Sequence, residues 1–274
     1  MIQRILTALI VIPIILFLIF VCPFTWPFSV VVTITVLLGL VEFYSIMRKA
    51  GFRPYQNWGV TITALLCLIS YNEINRSQES LRLHLIVMLL TVLILGVFFR
   101  RIFTRETSSS FSDISSTVLG VLYLGWLGNY LILIRQIPEK GAYYTFFLFL
   151  ITWIYDAGAY FSGVFLGKHR FPFSISPRKT WEGFMGGLIV VFLAAMMIKY
   201  SLPALGFSYF HCGLLSFLLV LGGQAGDLAE SAIKRSAGVK DSGTLVPGHG
   251  GILDRIDGLL FTAPIFYYYL QLVL

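Results

Sequence analysis

Apolar residues run along this chain in blocks broken by short polar stretches, and the blocks are too long and too uniformly apolar for the alternating faces of a soluble core. A window of about 20 residues, the length that crosses roughly 30 Å of hydrocarbon, predicts nine spans, at 5–22, 27–46, 57–71, 83–99, 115–134, 143–166, 184–202, 209–229 and 252–274. The run at 57–71 is the weakest and fits a re-entrant segment as well as a crossing. The first run follows Met1–Arg4 but is too long for a cleaved secretory signal and has no small-x-small site after it. It reads as a membrane helix with Pro13 inside it and Trp26 as an interfacial anchor beyond it. The expected fold class is all-α, a polytopic integral membrane protein of about nine transmembrane helices. No repeat, linker or polar segment marks off a soluble domain, so 1–274 is expected to form one membrane-embedded domain: helices of unassigned role in 1–135 and the chemistry in 143–274.

Composition agrees with this reading: 57% of the 274 residues are hydrophobic, 12% are charged, and the mean hydropathy is +0.84. Cys22, Cys67 and Cys212 lie in or beside apolar runs without paired spacing, which suggests neither a disulfide framework nor a thiolate metal site. Lys and Arg sort by side. One set of loops holds Arg4, Arg48, Lys49, Arg53, Arg100, Arg101, Arg105, Lys168, Arg170, Arg178, Lys179, Lys234, Arg235 and Lys240, and the other only Arg76, Arg82, Arg135, Lys140 and Lys199. The richer side is expected to be cytoplasmic, placing the N-terminus there; if 57–71 does not cross, the parity changes.

A carboxylate at mid-bilayer costs about 2.5–3.5 kcal/mol on insertion scales, so acidic residues within spans are expected to gather at one depth. Glu42, Asp156, Asp227, Asp254 and Asp257 all fall at or toward the cytoplasmic ends of their spans. Asp254 and Asp257, three apart, share a helix face, and Asp227, Ser231 and Lys234 advance along another. Two helices can thus aim oxygen ligands at one point. With no cysteine nearby, and only His249 as a nitrogen donor, that set favours a hard cation such as Mg²⁺ over zinc. The alternative is that these carboxylates simply pair with Arg255 or Lys234.

The stretch Ser231–Asp257 packs Lys234, Arg235, Lys240 and Arg255 with Asp241, Asp254, Asp257 and His249 into one polar island. Lys234, Arg235 and Lys240 offer charge to a phosphate, and Gly248, Gly250 and Gly251 let backbone N–H groups approach it closely. His249 is a catalytic candidate with three roles open: donating to a phosphate, acting as acid or base, or fixing the turn. A second island, Ser174–Gly183, has Pro177 at a turn and Thr180 placed to cap a helix beginning near Trp181. Arg178 and Lys179 then precede a helix N-terminus, where free N–H groups and the macrodipole favour an anion; positive-inside anchoring is the alternative.

The series Ser231-Ala-Ile-Lys234-Arg235, then Lys240-Asp241, then His249-Gly250-Gly251-Ile-Leu-Asp254-Arg255-Ile-Asp257 resembles the pattern of the phosphatidate cytidylyltransferases, also called CDP-diacylglycerol synthases. Asp156-Ala-Gly-Ala-Tyr-Phe, Gly167-Lys168 and Ser176-Pro-Arg178-Lys179-Thr180-Trp-Glu182-Gly183 resemble the family's second block, so the likeness covers the C-terminal half. Val246 stands where the family carries bulkier apolar residues, and Ala157 where Thr is common. The resemblance implies Mg²⁺-dependent transfer of the cytidylyl group from CTP to phosphatidate, with a second cation allowed. It implies Asp227, Asp254 and Asp257 as metal ligands, with Asp227, Asp254, Lys234 and His249 as catalytic residues. Ser176, Arg178, Lys179, Thr180, Ser231, Arg235, Lys240 and Arg255 are then substrate-binding, and Asp156 and Glu182 are further candidates. Membrane lipid is an expected partner and nucleic acid is not; the Lys and Arg count expects the site to face the cytoplasm in the inner (plasma) membrane, and a homodimer is expected only because many polytopic enzymes form dimers. A cation- or proton-coupled transporter also uses intramembrane carboxylates, but its pathway needs polar residues on both sides of the midplane, and the outer halves of these spans are almost purely apolar. Another lipid phosphotransferase or a lipid kinase is the nearer alternative.

Overall fold

In hydrocarbon a backbone must satisfy its own N–H and C=O groups, and a helix does so within one segment. All nine apolar runs are accordingly helical in the computed structural model, which describes residues 2–22, 24–71, 79–103, 110–172, 175–245 and 250–273. Helix α1 (Ile2–Leu16) passes into a π-helical turn, Phe17–Val21; α2 is Trp26–Lys49, α3 Gln56–Tyr71 and α4 Glu79–Ile102. α5 (Ser110–Gly120) continues through a π-helical turn, Val121–Trp126, into α6 (Leu127–Arg135). α7 (Gly141–Leu166), α8 (Trp181–Ser201), α9 (Tyr209–Ser236) and α10 (Leu253–Val273) follow. Among the described residues extended pairing is confined to one antiparallel bridge, Arg170 to Thr180.

Seven helices among the described residues are long and apolar enough to cross a membrane, rather than the nine expected. The two that fall short are the first, whose apolar helical stretch is Leu9–Val21, and α3, whose 16 residues reach only about 24 Å at 1.5 Å per residue. Helices also run past their apolar cores at the polar ends. α9 extends through Lys234 and Arg235, which the sequence places in a loop, and α4 includes Arg100 and Arg101 in its last turn. Large apolar side chains such as Leu95, Phe165 and Leu272 are exposed, as a hydrocarbon-facing surface requires.

The chain forms two compact units, Met1–Gln136 with Ser236–Ile256, and Ile137–Arg235 with Asp257–Leu274. Residues 236–256 thus join the N-terminal helices. In the first unit Ile62, Leu66, Leu93, Val97 and Val121 form a buried cluster. The Tyr44 ring fills the space at Gly59 and Gly120, where a Cβ would collide with it, and its hydroxyl donates to the Thr117 carbonyl at 2.9 Å.

The second unit relies on small residues, as helix pairs in lipid do when their backbones must come close. α7 and α8 meet where Gly158 faces Gly187, Gly186 faces Ser162 and Gly183 faces the Ala159 carbonyl. α10 is admitted against α9 by Gly222, Gly223 and Gly226; the last faces the carbonyl of Asp257.

Candidate active site

The polar chemistry of the second unit begins at the N-terminus of α8. A hairpin brings the chain back, with Phe171 N–H donating to the Lys179 carbonyl and Trp181 N–H to the His169 carbonyl, each at 2.9 Å. Thr180 is the N-cap, its Oγ1 accepting from Gly183 N–H at 3.1 Å, so the helix starts at Trp181 as its sequence predicts. Glu182 in the first turn takes the His169 Nδ1 at 2.5 Å and the His169 N–H at 3.1 Å on each oxygen. Trp181 packs edge-on against Phe171, ring centroids 4.5 Å apart, which fixes the hairpin over the helix start.

That turn delivers Lys179 to α9, where its ammonium forms a short ion pair with Asp227 Oδ2. The Asp257 carboxyl lies within hydrogen-bonding reach of Asp227, with Glu230 as a further nearby charge. Asp257 Oδ1 also accepts from Gly258 N–H at 2.8 Å. Because Gly226 has no side chain, α10 comes close enough for the Asp227 and Asp257 carboxyls to meet. One turn further along α9, Lys234 pairs with Glu230, which is buried. Tyr155 on α7 donates its hydroxyl to Gln224 Oε1 at 2.8 Å.

The first unit holds the other polar island. Gly238 (φ +67°) ends the turn after α9, and Lys240 and Asp241 are exposed beyond it. Ser242 is buried and makes two contacts through its hydroxyl, at 3.0 Å to Asp254 Oδ2 and at 3.0 Å to Glu42 Oε2. Asp254 Oδ2 also accepts from Ser242 N–H at 3.1 Å and Gly251 N–H at 2.9 Å. Glu42, only 5% exposed at the polar end of α2, accepts from Leu253 N–H at 2.9 Å. A Cβ at Gly243 or Gly251 would strike the Glu42 carboxylate and one at Gly250 (φ +86°) would strike Asp254, so the glycines serve close packing of this loop.

The structure therefore brings Lys179, Thr180 and Glu182 to one helix start, Lys179 with Asp227 and Asp257 to one cluster, and Asp254 to the Ser242 loop. Ser231 and Lys234 are half-buried on α9; Arg178, Arg235, Lys240 and Arg255 are exposed; Ser176 is half-buried, its carbonyl accepting from Lys179 N–H at 3.3 Å. His249, Gly248, Val246, Ser174, Arg76 and Arg105 lie outside the described residues. Among the described residues no three His, Cys, Asp or Glu side chains are grouped as a metal would need. The Asp227–Asp257 pair nevertheless fits a hard cation: its donors are carboxylate oxygens and a cationic group, the Lys179 ammonium, already sits against it. His169, Gln224, Ser242 and the contacts of Glu42 escape the sequence reading. Glu42 is recognisable there as a carboxylate ending an apolar run, and nothing in one sequence names its partner 200 positions away.

A family model described as the cytidylyltransferase family matches residues 2–273 of this chain. The phosphatidate cytidylyltransferase of Bacillus subtilis (strain 168) is 34% identical over 279 residues, covering 98% of this chain and 97% of that protein. Its namesake from Synechocystis sp. is 31% identical over 281 residues, 91% of this chain and 90% of that protein. The namesake from Staphylococcus saprophyticus is 40% identical over 156 residues, 57% of this chain and 58% of that protein.

Proposed function

The chain belongs to the cytidylyltransferase family, and from that premise we propose that it transfers the cytidylyl group of CTP to phosphatidate, forming CDP-diacylglycerol and pyrophosphate. We assign the reaction to the cytoplasmic leaflet of the plasma membrane, the side favoured by the Lys and Arg in and beside the two polar islands themselves, Lys168, Arg170, Arg178, Lys179, Lys234, Arg235 and Lys240. A homodimer is the assembly assigned to it. The observation that carries the reading is the Lys179–Asp227–Asp257 cluster: a cation and paired carboxylates from three elements, set at the polar ends of apolar helices.

Phosphatidate already carries its nucleophile, an anionic phosphate oxygen, so neither a protein nucleophile nor a strong base is needed. That oxygen attacks the α-phosphorus of CTP, a P–O bond forms there, and the bond to the β-phosphate breaks as pyrophosphate leaves. Lys179 and Arg178, at the start of α8, hold phosphate oxygens where the helix N–H groups and dipole add to their charge. Lys234, Arg235, Lys240 and Arg255 take up the negative charge of the triphosphate and the departing pyrophosphate. Ser176, Thr180 and Ser231 are the neutral donors of this set. Asp227 and Asp257 would hold Mg²⁺, joined by Asp254 on the strength of the sequence pattern, with a second cation allowed. When bound, the ion supplies neutralisation of the triphosphate and polarisation of the reacting phosphoryl group. His249 retains the role of donor to a phosphate or of acid–base group.

Purified protein in detergent, given phosphatidate, Mg²⁺ and radiolabelled CTP, ATP or CDP in parallel, tests the reading. A nucleotide-labelled lipid formed from CTP alone, with pyrophosphate in equal amount, is the expected result. Labelled lipid arising from ATP by phosphorylation, or from CDP, would assign a different phosphotransfer chemistry.

A further inference from the structure

We infer that Glu42 of α2 is the remote N-cap of α10 and a positioning residue for Asp254, so that an N-terminal helix sets the geometry of Ser242–Gly243 and Gly251–Asp254. α10 begins at Leu253, and its first N–H groups have no partner within the helix. The usual remedy is a side-chain oxygen from the residue just before the helix, but Ile252, in that place, has none. The first of these N–H groups, that of Leu253, is taken at 2.9 Å by Glu42 Oε2 from another helix.

The same Glu42 oxygen meets the Ser242 hydroxyl at 3.0 Å, and that hydroxyl is also 3.0 Å from Asp254 Oδ2. Asp254, in the first turn of α10, reaches back to accept from Gly251 N–H at 2.9 Å. Glu42 and Asp254 thus both hold Ser242, and between them the Gly251 and Leu253 backbone. Gly243 and Gly251 close over the Glu42 carboxylate with no room for a Cβ, which leaves its approach one geometry. Glu42 Oε1 is buried without a hydrogen-bond partner among the described residues, so the held oxygen, Oε2, carries the function. A carboxylate at a helix N-terminus also meets the positive end of the dipole, which offsets part of the cost of its burial. Side chain and backbone here belong to one compact unit.

The experiment uses the full chain in detergent with Glu42→Ala and Glu42→Gln. The amide oxygen of glutamine can accept from Leu253 and Ser242, and its NH₂ falls where Oε1 has no partner, so Gln keeps the cap and Ala removes it. Hydrogen exchange is read first, because it needs no activity: the amides of residues 251–255 exchange about tenfold faster in Glu42→Ala and near the native rate in Glu42→Gln. Turnover is read second and rests on the proposed function, with Asp254 among the Mg²⁺ ligands. There Glu42→Ala raises the Mg²⁺ needed for half-maximal rate by about tenfold with little change in KM for CTP, and Glu42→Gln follows the native curve. If Glu42→Ala does not purify, Ser242→Ala, which removes one of the two donors to Oε2, gives the same shifts at smaller size. Native exchange in both alanine variants would overturn the inference, as would equal loss in Glu42→Gln, which would assign the charge instead of the hydrogen bond. A native protein inert toward CTP and phosphatidate would sink the functional reading, while accelerated exchange in Glu42→Ala would still uphold the cap.

Discussion

Replacing Lys179 with alanine separates the two things its ion pair with Asp227 does. The side chains of Lys179 and Asp227 are 23% and 44% exposed, so water screens their attraction. Half-exposed pairs contribute about 0–1 kcal/mol to stability, and the thermal midpoint of Lys179→Ala in detergent is expected to stay close to that of the native protein. Turnover behaves differently, because a preorganised cation beside developing phosphate charge is worth about a hundredfold in rate or more.

The Mg²⁺ dependence supplies a sign that neither effect predicts alone. Lys179 competes with a divalent ion for Asp227, so its loss leaves the Asp227–Asp257 pair more attractive to Mg²⁺. A unit charge at about 4 Å in water amounts to about 1 kcal/mol, which is roughly a fivefold change in affinity. Lys179→Ala should therefore need about fivefold less Mg²⁺ for half-maximal rate while its maximal rate falls about a hundredfold. The assay is formation of nucleotide-labelled lipid from CTP across a Mg²⁺ series, with a thermal midpoint on the same preparation. A maximal rate within threefold of native, or a rise in the Mg²⁺ requirement, would refute the placement of Lys179 at both phosphate and Asp227.

Gly226→Ala places a methyl group against the Asp257 carbonyl and 3.2 Å from the Phe261 ring; overpacking of this kind costs about 1–3 kcal/mol. The displacement should lower turnover more than thermal stability does, and an unchanged rate in the lipid-labelling assay would dissociate the Asp227–Asp257 approach from catalysis. Thr180→Ala removes the N-cap of α8 and should lower stability by about 1 kcal/mol, with Thr180→Ser restoring most of it in a thermal-shift comparison. Stripping with EDTA should abolish turnover, and Mg²⁺ should restore it where Zn²⁺ does not, because the donors are carboxylate oxygens; full activity after stripping would remove the metal from the scheme.

Helices were legible in this chain because the bilayer imposes one length and one composition on each of them. Thr180 as a cap was legible as well, being a local rule satisfied within four residues. The end of α9 was not: hydropathy falls after 229, yet the backbone stays helical to Ser236, since Lys234 pairs with Glu230 one turn back and the polar end of a helix needs no apolar face. Least legible of all were contacts closed by the fold. That Asp227 meets Lys179 requires a hairpin to return the chain to the start of α8, and that Glu42 holds Leu253 joins positions 211 apart. In each case residue type marked the participant and only tertiary structure chose its partner.

A common feature of these pairings bears on how substrate enters. In the second unit the cations assigned to phosphate are neutralised at rest: Lys179 by Asp227, itself assigned to metal, and Lys234 by the buried Glu230. Bare charges near hydrocarbon would be costly, and paired ones less so, provided the partners are present. A nucleotide triphosphate with its Mg²⁺ is itself a pair of opposite charges, and its arrival would exchange the Lys179–Asp227 pair, phosphate taking the ammonium group and Asp227 turning to the ion. No step of that exchange leaves an uncompensated charge in the low-dielectric ends of the helices. Nucleotide and Mg²⁺ should accordingly bind with positive coupling, each raising the apparent affinity for the other. Independent binding of CTP and Mg²⁺, measured by titrating one at fixed levels of the other, would mean that the resting Lys179–Asp227 pair stays closed during the reaction.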